Sequence, residues 1–205
     1  MLVRTRELDS GLRRGSSSLL DLPGFEVRHT SQRGFKLQIW GTLPPAWAAS
    51  LGVGLCEAGV RVVRGFARRI EGETWLGEFE LEALDDSEEP VLIDYLALAR
   101  RPLEALAPPS VRLTGVHRSL TAKHGGSLYL EVRARDRLGF LGGFLARIAR
   151  VGLVPEELVI DTRGIPVLDR FFLKELDGAP PRAEARRALG ELLDQLASPS
   201  TSAME

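Results

Sequence analysis

The sequence contains two copies of one pattern. The segment FKLQIWG at positions 35 to 41 matches LYLEVRA at positions 128 to 134, an offset of 93 positions. The offset holds without a gap for roughly fifty residues and matches apolar residues and a helix-ending glycine. The matched pairs are Leu51 with Phe144, Leu55 with Ile148, Gly59 with Gly152, Phe66 with Val159 and Phe79 with Phe172. The chain is therefore expected to consist of two similar units.

Each copy begins with a half-buried strand, because apolar and polar residues alternate in both matched segments. An amphipathic helix follows, with apolar stripes formed by Ala48, Leu51, Leu55 and Ala58 in the first copy and by Leu141, Phe144, Leu145, Ile148 and Val151 in the second. Two further strand-like runs lead to a second helix. We expect that helix at roughly residues 88 to 98 in the first copy and after Pro181 in the second.

The unit is β-α-β-β-α, and the expected fold class is α+β: two tandem ferredoxin-like units with antiparallel sheets. One strand per unit is missing from this order. GFEVRHT (24 to 30) and SVRLTGVHR (110 to 118) are candidates, either in front of each copy or exchanged between the repeats. The expected organisation is a flexible segment 1–23, a first unit 24–118, a second unit 119–197 and a disordered tail 198–205.

Composition limits the function classes. The 27 basic and 28 acidic side chains nearly cancel, so net charge gives no pull toward nucleic acid or an anionic membrane. The single cysteine, Cys56, excludes an intramolecular disulfide framework and a Cys-rich zinc site, and a small buried apolar role is expected for it. No apolar run has the length of a membrane span and the first residues lack a secretion signal, so a cytoplasmic protein without a membrane partner is expected.

The second copy resembles an ACT domain, a small-molecule-sensing regulatory module of amino-acid and nitrogen metabolism. RDRLGFL (135 to 141) is similar to the Asp-Arg-Pro-Gly-Leu-Leu turn of that family. TRGIPVLDRFFLKELDG (162 to 178) is similar to the C-terminal ACT repeats of the bifunctional uridylyltransferase of nitrogen signalling. The first copy has GTLPPAW in place of ARDRLGF, without the Asp or the Gly. The resemblance implies units packed side by side or dimerising, with an amino acid held where the first strand turns into the first helix.

The candidate ligand-binding residues form that turn: Asp136, Arg137, Leu138, Gly139, Phe140 and Leu141. Gly139 would let a ligand approach the backbone, and the amides that open the helix favour a carboxylate. Asp136 is suited to a ligand ammonium group. The alternative is ordinary turn chemistry, with Asp136 capping local amides and Gly139 allowing tight packing. Val154 and Pro155 replace the Asn-Ile that often opens the family's second strand, which is consistent with a degenerate site.

Other chemistries find weak support. RGFARR (64 to 69) is similar to an aromatic RNA-binding strand but falls on the second strand of its unit rather than the third, so nucleic acid is not expected as a partner. The three histidines lack metal-ligand spacing, and DDSEE (85 to 89) has no partner base. We therefore expect no catalytic residue, metal or cofactor. The expected function is a regulatory module that senses an amino acid and acts on a partner protein; a ferredoxin-like protein- or RNA-interaction module is the alternative.

Three aromatic positions carry expectations about packing. Trp75 shares a face with Phe79 and should belong to the core, whereas Trp40 lies on the polar face of its strand and could mark a contact between units. Phe171 and Phe172 are adjacent in one strand, so their rings should point to opposite sides of the sheet. One ring then needs a covering partner, which predicts that the repeats pack together or that two chains form a dimer.

Overall fold

The computed structural model describes residues 22–84, 89–105, 107–162 and 167–197. These residues form eight β-strands: β1 (Gly24–His29), β2 (Gly34–Thr42), β3 (Val60–Glu71), β4 (Thr74–Ala83), β5 (Leu113–Thr121), β6 (Ser127–Ala134), β7 (Leu153–Asp161) and β8 (Val167–Glu175). They also form four α-helices: α1 (Trp47–Glu57), α2 (Tyr95–Ala99), α3 (Phe140–Arg150) and α4 (Ala183–Ala197). Both halves follow the same order, strand-strand-helix-strand-strand-helix, and the expected α+β class is confirmed.

The strands form one antiparallel sheet in the order β1-β2-β4-β3-β7-β8-β6-β5. The extra strand precedes its own copy in both halves, because β1 pairs with β2 and β5 pairs with β6. The missing strands of the two units are therefore β1 and β5, and the described strands are not exchanged between the halves. Since β5 extends across positions 118 and 119 and pairs with β6, strand pairing divides the chain before β5.

The halves are joined by strands β3 and β7 and by helices α1 and α3. The strands pair from Arg64 opposite Asp161 to Arg68 opposite Glu157. On the helix side, α1 and α3 meet backbone to backbone: a Cβ added to Gly142 would lie 2.3 Å from the carbonyl carbon of Gly52. Only residues without a side chain allow helices to approach so closely. The inward side chains of both halves belong to one apolar core.

Two details of these elements differ from the sequence predictions. Phe79 lies opposite Leu37 and Phe171 lies opposite Leu130, so Phe171, rather than Phe172, is the counterpart of Phe79. The second copy has one residue fewer between these positions. The second helix of the first half is only the short α2, preceded by a 3₁₀ turn at Pro90–Leu92 and capped by Asp94, which accepts a hydrogen bond from the Ala97 amide. A proline ends the possibility of one continuous helix there.

The aromatic residues divide between the two faces of the sheet. Trp75 is buried as expected, and Phe171 is the inward member of the adjacent phenylalanine pair. Phe172 points to the other face, where Tyr129 and His124 contact its ring and the Lys123 ammonium lies 3.8 Å from the ring centroid. Trp40 packs beside Gly24 on β1, so its contact is within the first half and the predicted contact between units is wrong for this residue. Cys56 is only partly buried.

Candidate functional site

The predicted turn lies at the junction of the two halves. Residues 135 to 139 connect β6 to α3, and a small cavity there is lined by Asp136, Arg137, Gly139, Phe140 and Leu141. Leu138 does not line it. The opposite wall comes from the first half, through Gly52 on α1 and Val60, Arg61 and Val62 on β3; Thr162 and Asp169 close the floor. The structure therefore brings five of the six predicted residues together with residues that the sequence pattern did not identify.

Arg61 is the most direct link across this cavity. Its Nη1 donates to Oδ2 of Asp136 at 2.9 Å, and its Nη2 donates to Glu82 of the neighbouring strand. The hydrogen bond from Arg61 to Glu82 is the main cause of a raised Arg61 pKa. Asp136 is thus held by a cation of the other half. Its partner is 75 positions away in sequence, so local turn chemistry could not reveal it.

Asp169 is a second carboxylate at the cavity and is fully buried. Its Oδ1 accepts a hydrogen bond from the Asp161 amide at 3.3 Å, whereas its Oδ2 has no hydrogen-bond partner among the described residues. Burial raises the pKa of Asp169 to about 7. A buried polar atom without a partner is costly, and such atoms are rare in folded proteins. The sequence signal was available: alternation places Asp169 on the inward face with Val167 and Phe171.

Some of the first backbone amides of α3, which begins at this site, already donate hydrogen bonds within the protein. The Phe140 amide donates to the Arg137 carbonyl at 3.1 Å. It is therefore not free to donate to a ligand carboxylate, contrary to the sequence-based expectation. The amides of Leu141 and Gly142 have no backbone acceptor within the described ranges. Because the first amides of a helix carry partial positive charge, these two groups favour an anionic ligand atom.

Gly139 has a structural reason to be glycine. Its φ is +80°, a left-handed conformation that side chains disfavour. A Cβ at this position would lie 2.5 Å from Sγ of Cys56 and 2.6 Å from Cγ of Pro109. The space beside its Cα is therefore occupied by the protein itself. This geometry supports the tight-packing alternative for Gly139.

The equivalent place in the first half is apolar. The repeat offset matches Leu43 with Asp136, and Leu43 is buried beside the fully buried Trp47 at the start of α1. Strand register matches Gly77, opposite Ile39, with Asp169, opposite Val132. Neither carboxylate has a counterpart there. The two halves therefore share a backbone arrangement, but of these two matched positions only those at the second turn carry carboxylates.

The cavity has a volume of about 20 Å³. This is enough for about one water molecule and too little for an amino acid. Arg61 closes the β3 side of the cavity with a side chain that is 34% exposed and forms ion pairs with Glu82 and Asp136. If its guanidinium moved into solvent, Asp136 would be released and the cavity would open toward β3.

Over the ranges that the structure describes, His, Cys, Asp and Glu side chains do not form a group of three that could hold a metal ion. None of the helices formed by those same residues has the length and apolar character needed to cross a bilayer.

Comparison with known proteins yields one distant structural likeness. No protein-family profile matches the sequence, and no curated protein matches it. Among solved structures, the fold is similar to aspartate kinase from Synechocystis, with a TM-score of 0.47 and 17% sequence identity. The match covers 81% of this chain and 27% of that chain, so this protein spans about a quarter of the kinase's length.

Proposed function

We propose that the protein is a non-catalytic regulatory module of two tandem ACT-like units that senses an amino acid at the junction cavity and acts on a partner protein. The observation that carries the proposal is Asp169: a fully buried carboxyl group whose Oδ2 lacks a partner at the edge of that cavity. A buried acceptor without a protein partner can accept a hydrogen bond from a donor that arrives with a ligand.

The ligand class follows from the groups around this atom. Asp169 and Asp136 supply acceptors for an ammonium group, and the free amides of Leu141 and Gly142 supply donors for a carboxylate. An α-amino acid carries both groups. Binding requires Arg61 to leave Asp136, because the closed cavity is too small. The movement of Arg61, which also contacts Glu82 on β4, would carry the signal into the first half.

A thermal-unfolding screen against the twenty amino acids tests this function. A ligand that binds only the folded state raises its stability, by about 2.7 kcal/mol at a concentration 100 times the Kd. At least one amino acid should raise the Tm of the wild type, and Asp136→Asn should remove that rise. Asp177→Asn is the matched control because Asp177 lies in an exposed turn outside the cavity. The absence of any response, or equal responses in both variants, would reject the proposal.

A second candidate is a protein-interaction module without a small ligand, and the open face of the sheet favours it. A groove of about 670 Å³ crosses the β3–β7 junction there. Phe66, Leu76 and Val159 give it an apolar centre, whereas Arg64, Glu80, Asp161 and Arg170 give it charges of both signs. Because the groove contains the same strands from both halves, a second copy of the chain could meet it in a symmetric, self-complementary way.

Oligomeric state distinguishes this candidate. Light scattering coupled to gel filtration should show a concentration-dependent dimer for the wild type and a monomer for Phe66→Ser, since Phe66 is 38% exposed at the centre of the groove. Leu92→Ser is the control, because Leu92 is 77% exposed in the first half and does not line the groove. A wild type that stays monomeric at all concentrations would rule out the dimer.

A further inference from the structure

A second polar cavity lies at the outer edge of the second half, where β5 begins and β6 ends. Its volume is about 460 Å³, within the range of small-molecule sites. Its polar lining consists of Ser110, Arg112, Thr114, Arg135 and Arg137. Of these residues, only Arg137 also lines the junction cavity. This basic cavity can therefore be tested separately from the proposed amino-acid site.

The basic cavity is lined by three arginine side chains and by no acidic side chain among the described residues. Within the described ranges, none of Arg112, Arg135 and Arg137 forms an ion pair or a side-chain hydrogen bond. Leu113 lies opposite Ala134 at the end of the β5–β6 ladder, and Arg112 and Arg135 are the next residues beyond this pair on the two chain segments. Like charges held close together on neighbouring segments repel each other and lower stability. A fold that keeps two such arginines together gains stability when an anion lies between them.

The backbone at this point is shaped irregularly. The β5–β6 register shifts between Leu113 and Gly115, which makes Thr114 the bulged residue of an edge strand. Bulges at sheet edges change the direction of side chains and frequently lie beside functional sites. Thr114 and Ser110 add hydroxyl donors to the guanidinium groups lining the same cavity.

The end of α4 reaches the basic cavity at Ala197. The last carbonyl groups of a helix carry a partial negative charge equivalent to about half an elementary charge. This amount does not balance three guanidinium groups. The remaining positive potential favours a ligand with more than one negative charge.

We propose that the basic cavity binds a small ligand through a phosphoryl or pyrophosphoryl group, held by Arg112 and Arg135 with Arg137 as the third cation. Guanidinium groups bind phosphate oxygens in a bidentate manner and remain charged at all physiological pH values. The ligand would bridge the start of β5, the end of β6 and the turn that leads into α3. It would therefore contact one side of the turn whose other side lines the junction cavity.

Calorimetry with inorganic phosphate and pyrophosphate, at constant ionic strength, tests this site. Pyrophosphate should bind more tightly than phosphate because it carries more charge. Arg112→Gln and Arg135→Gln should each lower the pyrophosphate affinity by about tenfold, the loss expected for one charge-assisted contact. Arg187→Gln is the matched control: Arg187 is exposed on α4, ten residues before Ala197, and does not line the basic cavity.

Stability measurements separate binding from folding. Without an anion, Arg135→Gln should unfold at the same temperature as the wild type or higher, because the repulsion with Arg112 is removed. Arg112→Gln and Arg135→Gln should both keep any rise in Tm caused by an amino acid, since neither residue lines the junction cavity. No pyrophosphate binding, an equal loss in Arg187→Gln, or binding of a single-stranded oligonucleotide without binding of pyrophosphate would overturn the proposal.

Discussion

Phe66 lies directly opposite Val159 in the ladder between β3 and β7, and these two residues occupy the same position in the two copies of the sequence repeat. A residue that pairs with its own counterpart lies on a local twofold axis. The halves of the chain therefore meet as the subunits of a symmetric dimer do. The helices follow the same local twofold symmetry. Helices α1 and α3 match each other in the repeat and pack together on the side of the sheet opposite Phe66.

The helix contact at this axis gives the first prediction. Alanine is the better helix former, so Gly142→Ala in an isolated helix would stabilise it by about 1 kcal/mol. Here the new Cβ would lie 2.3 Å from the backbone of Gly52, and we expect a net loss of about 1–3 kcal/mol instead. Urea unfolding measures this change. Gly115→Ala is the control, because its Cβ would lie 3.5 Å from the nearest atom; an equally large loss there would contradict the packing argument.

The turn glycine gives the second prediction. Gly139→Ala should destabilise the protein without any ligand, by at least the roughly 1–2 kcal/mol that a side chain costs in the left-handed region. Valine should cost more. This loss without a ligand is what the tight-packing alternative for Gly139 predicts.

A double-mutant cycle identifies the source of that loss. Cys56→Ala removes the Sγ atom that a Cβ at position 139 would meet at 2.5 Å. Part of the penalty should therefore disappear in the double variant, while the strain from φ remains. Purely additive changes would show that Cys56 does not limit the size of residue 139.

The buried carboxyl group gives the third prediction, a dependence of stability on pH. Burial raises the pKa of Asp169 to about 7 in the folded state, and the nearby Asp161 and Asp136 also raise it, whereas the hydrogen bond from the Asp161 amide lowers it. The folded state therefore keeps a proton that the unfolded chain releases near pH 4. The contribution of Asp169 to stability is largest below pH 4 and is lost as pH rises to about 7.

Asp169→Asn removes this titration. Relative to the wild type, the variant should gain up to about 4 kcal/mol in unfolding free energy between pH 4 and pH 8. Chemical unfolding of both proteins at a series of pH values measures the difference. A difference that stays constant over this range would show that Asp169 does not hold a raised pKa in the folded protein.

The contrast between the two helix-opening turns gives the fourth prediction. Substitutions in the turn at 136 to 141 should abolish amino-acid stabilisation, whereas changes at Thr42 to Pro45 should leave it intact. Pro44→Ala is suitable, because the apolar turn of the first half offers buried Leu43 where the second offers Asp136. The shift in Tm caused by a saturating amino acid measures the effect. Equal effects at both turns would contradict the asymmetry.

Much of the architecture could be predicted from periodicity. The offset of Phe66 and Val159 identified the repeat, and the apolar stripes of Leu51 and Phe144 identified α1 and α3, because core burial follows the period of each element. The exact register near Phe171 could not be predicted. One missing residue in the second copy changes which of two adjacent phenylalanines points inward, and both would satisfy a match by residue type.

The candidate site could be predicted only in its local part. Asp136 and Gly139 belong to one turn and were visible together in the sequence. Arg61 approaches Asp136 because β3 pairs with β7, a contact between distant segments that no local pattern encodes. Asp169 was visible as an acidic residue at an inward position, which shows that polar residues on the apolar face of a strand are informative even when no motif surrounds them.

The two helix-opening turns carry different residues at equivalent positions, and this difference sets the number of proposed amino-acid sites per chain. With Gly77 in the position that Asp169 occupies in the other half, one chain carries the two carboxylates at only one of its two equivalent turns. The expected stoichiometry is one amino acid per chain, and a monomer should show a hyperbolic saturation curve. A sigmoidal binding curve would then require coupling between sites on separate chains, because one chain has no second amino-acid site with which the first could cooperate.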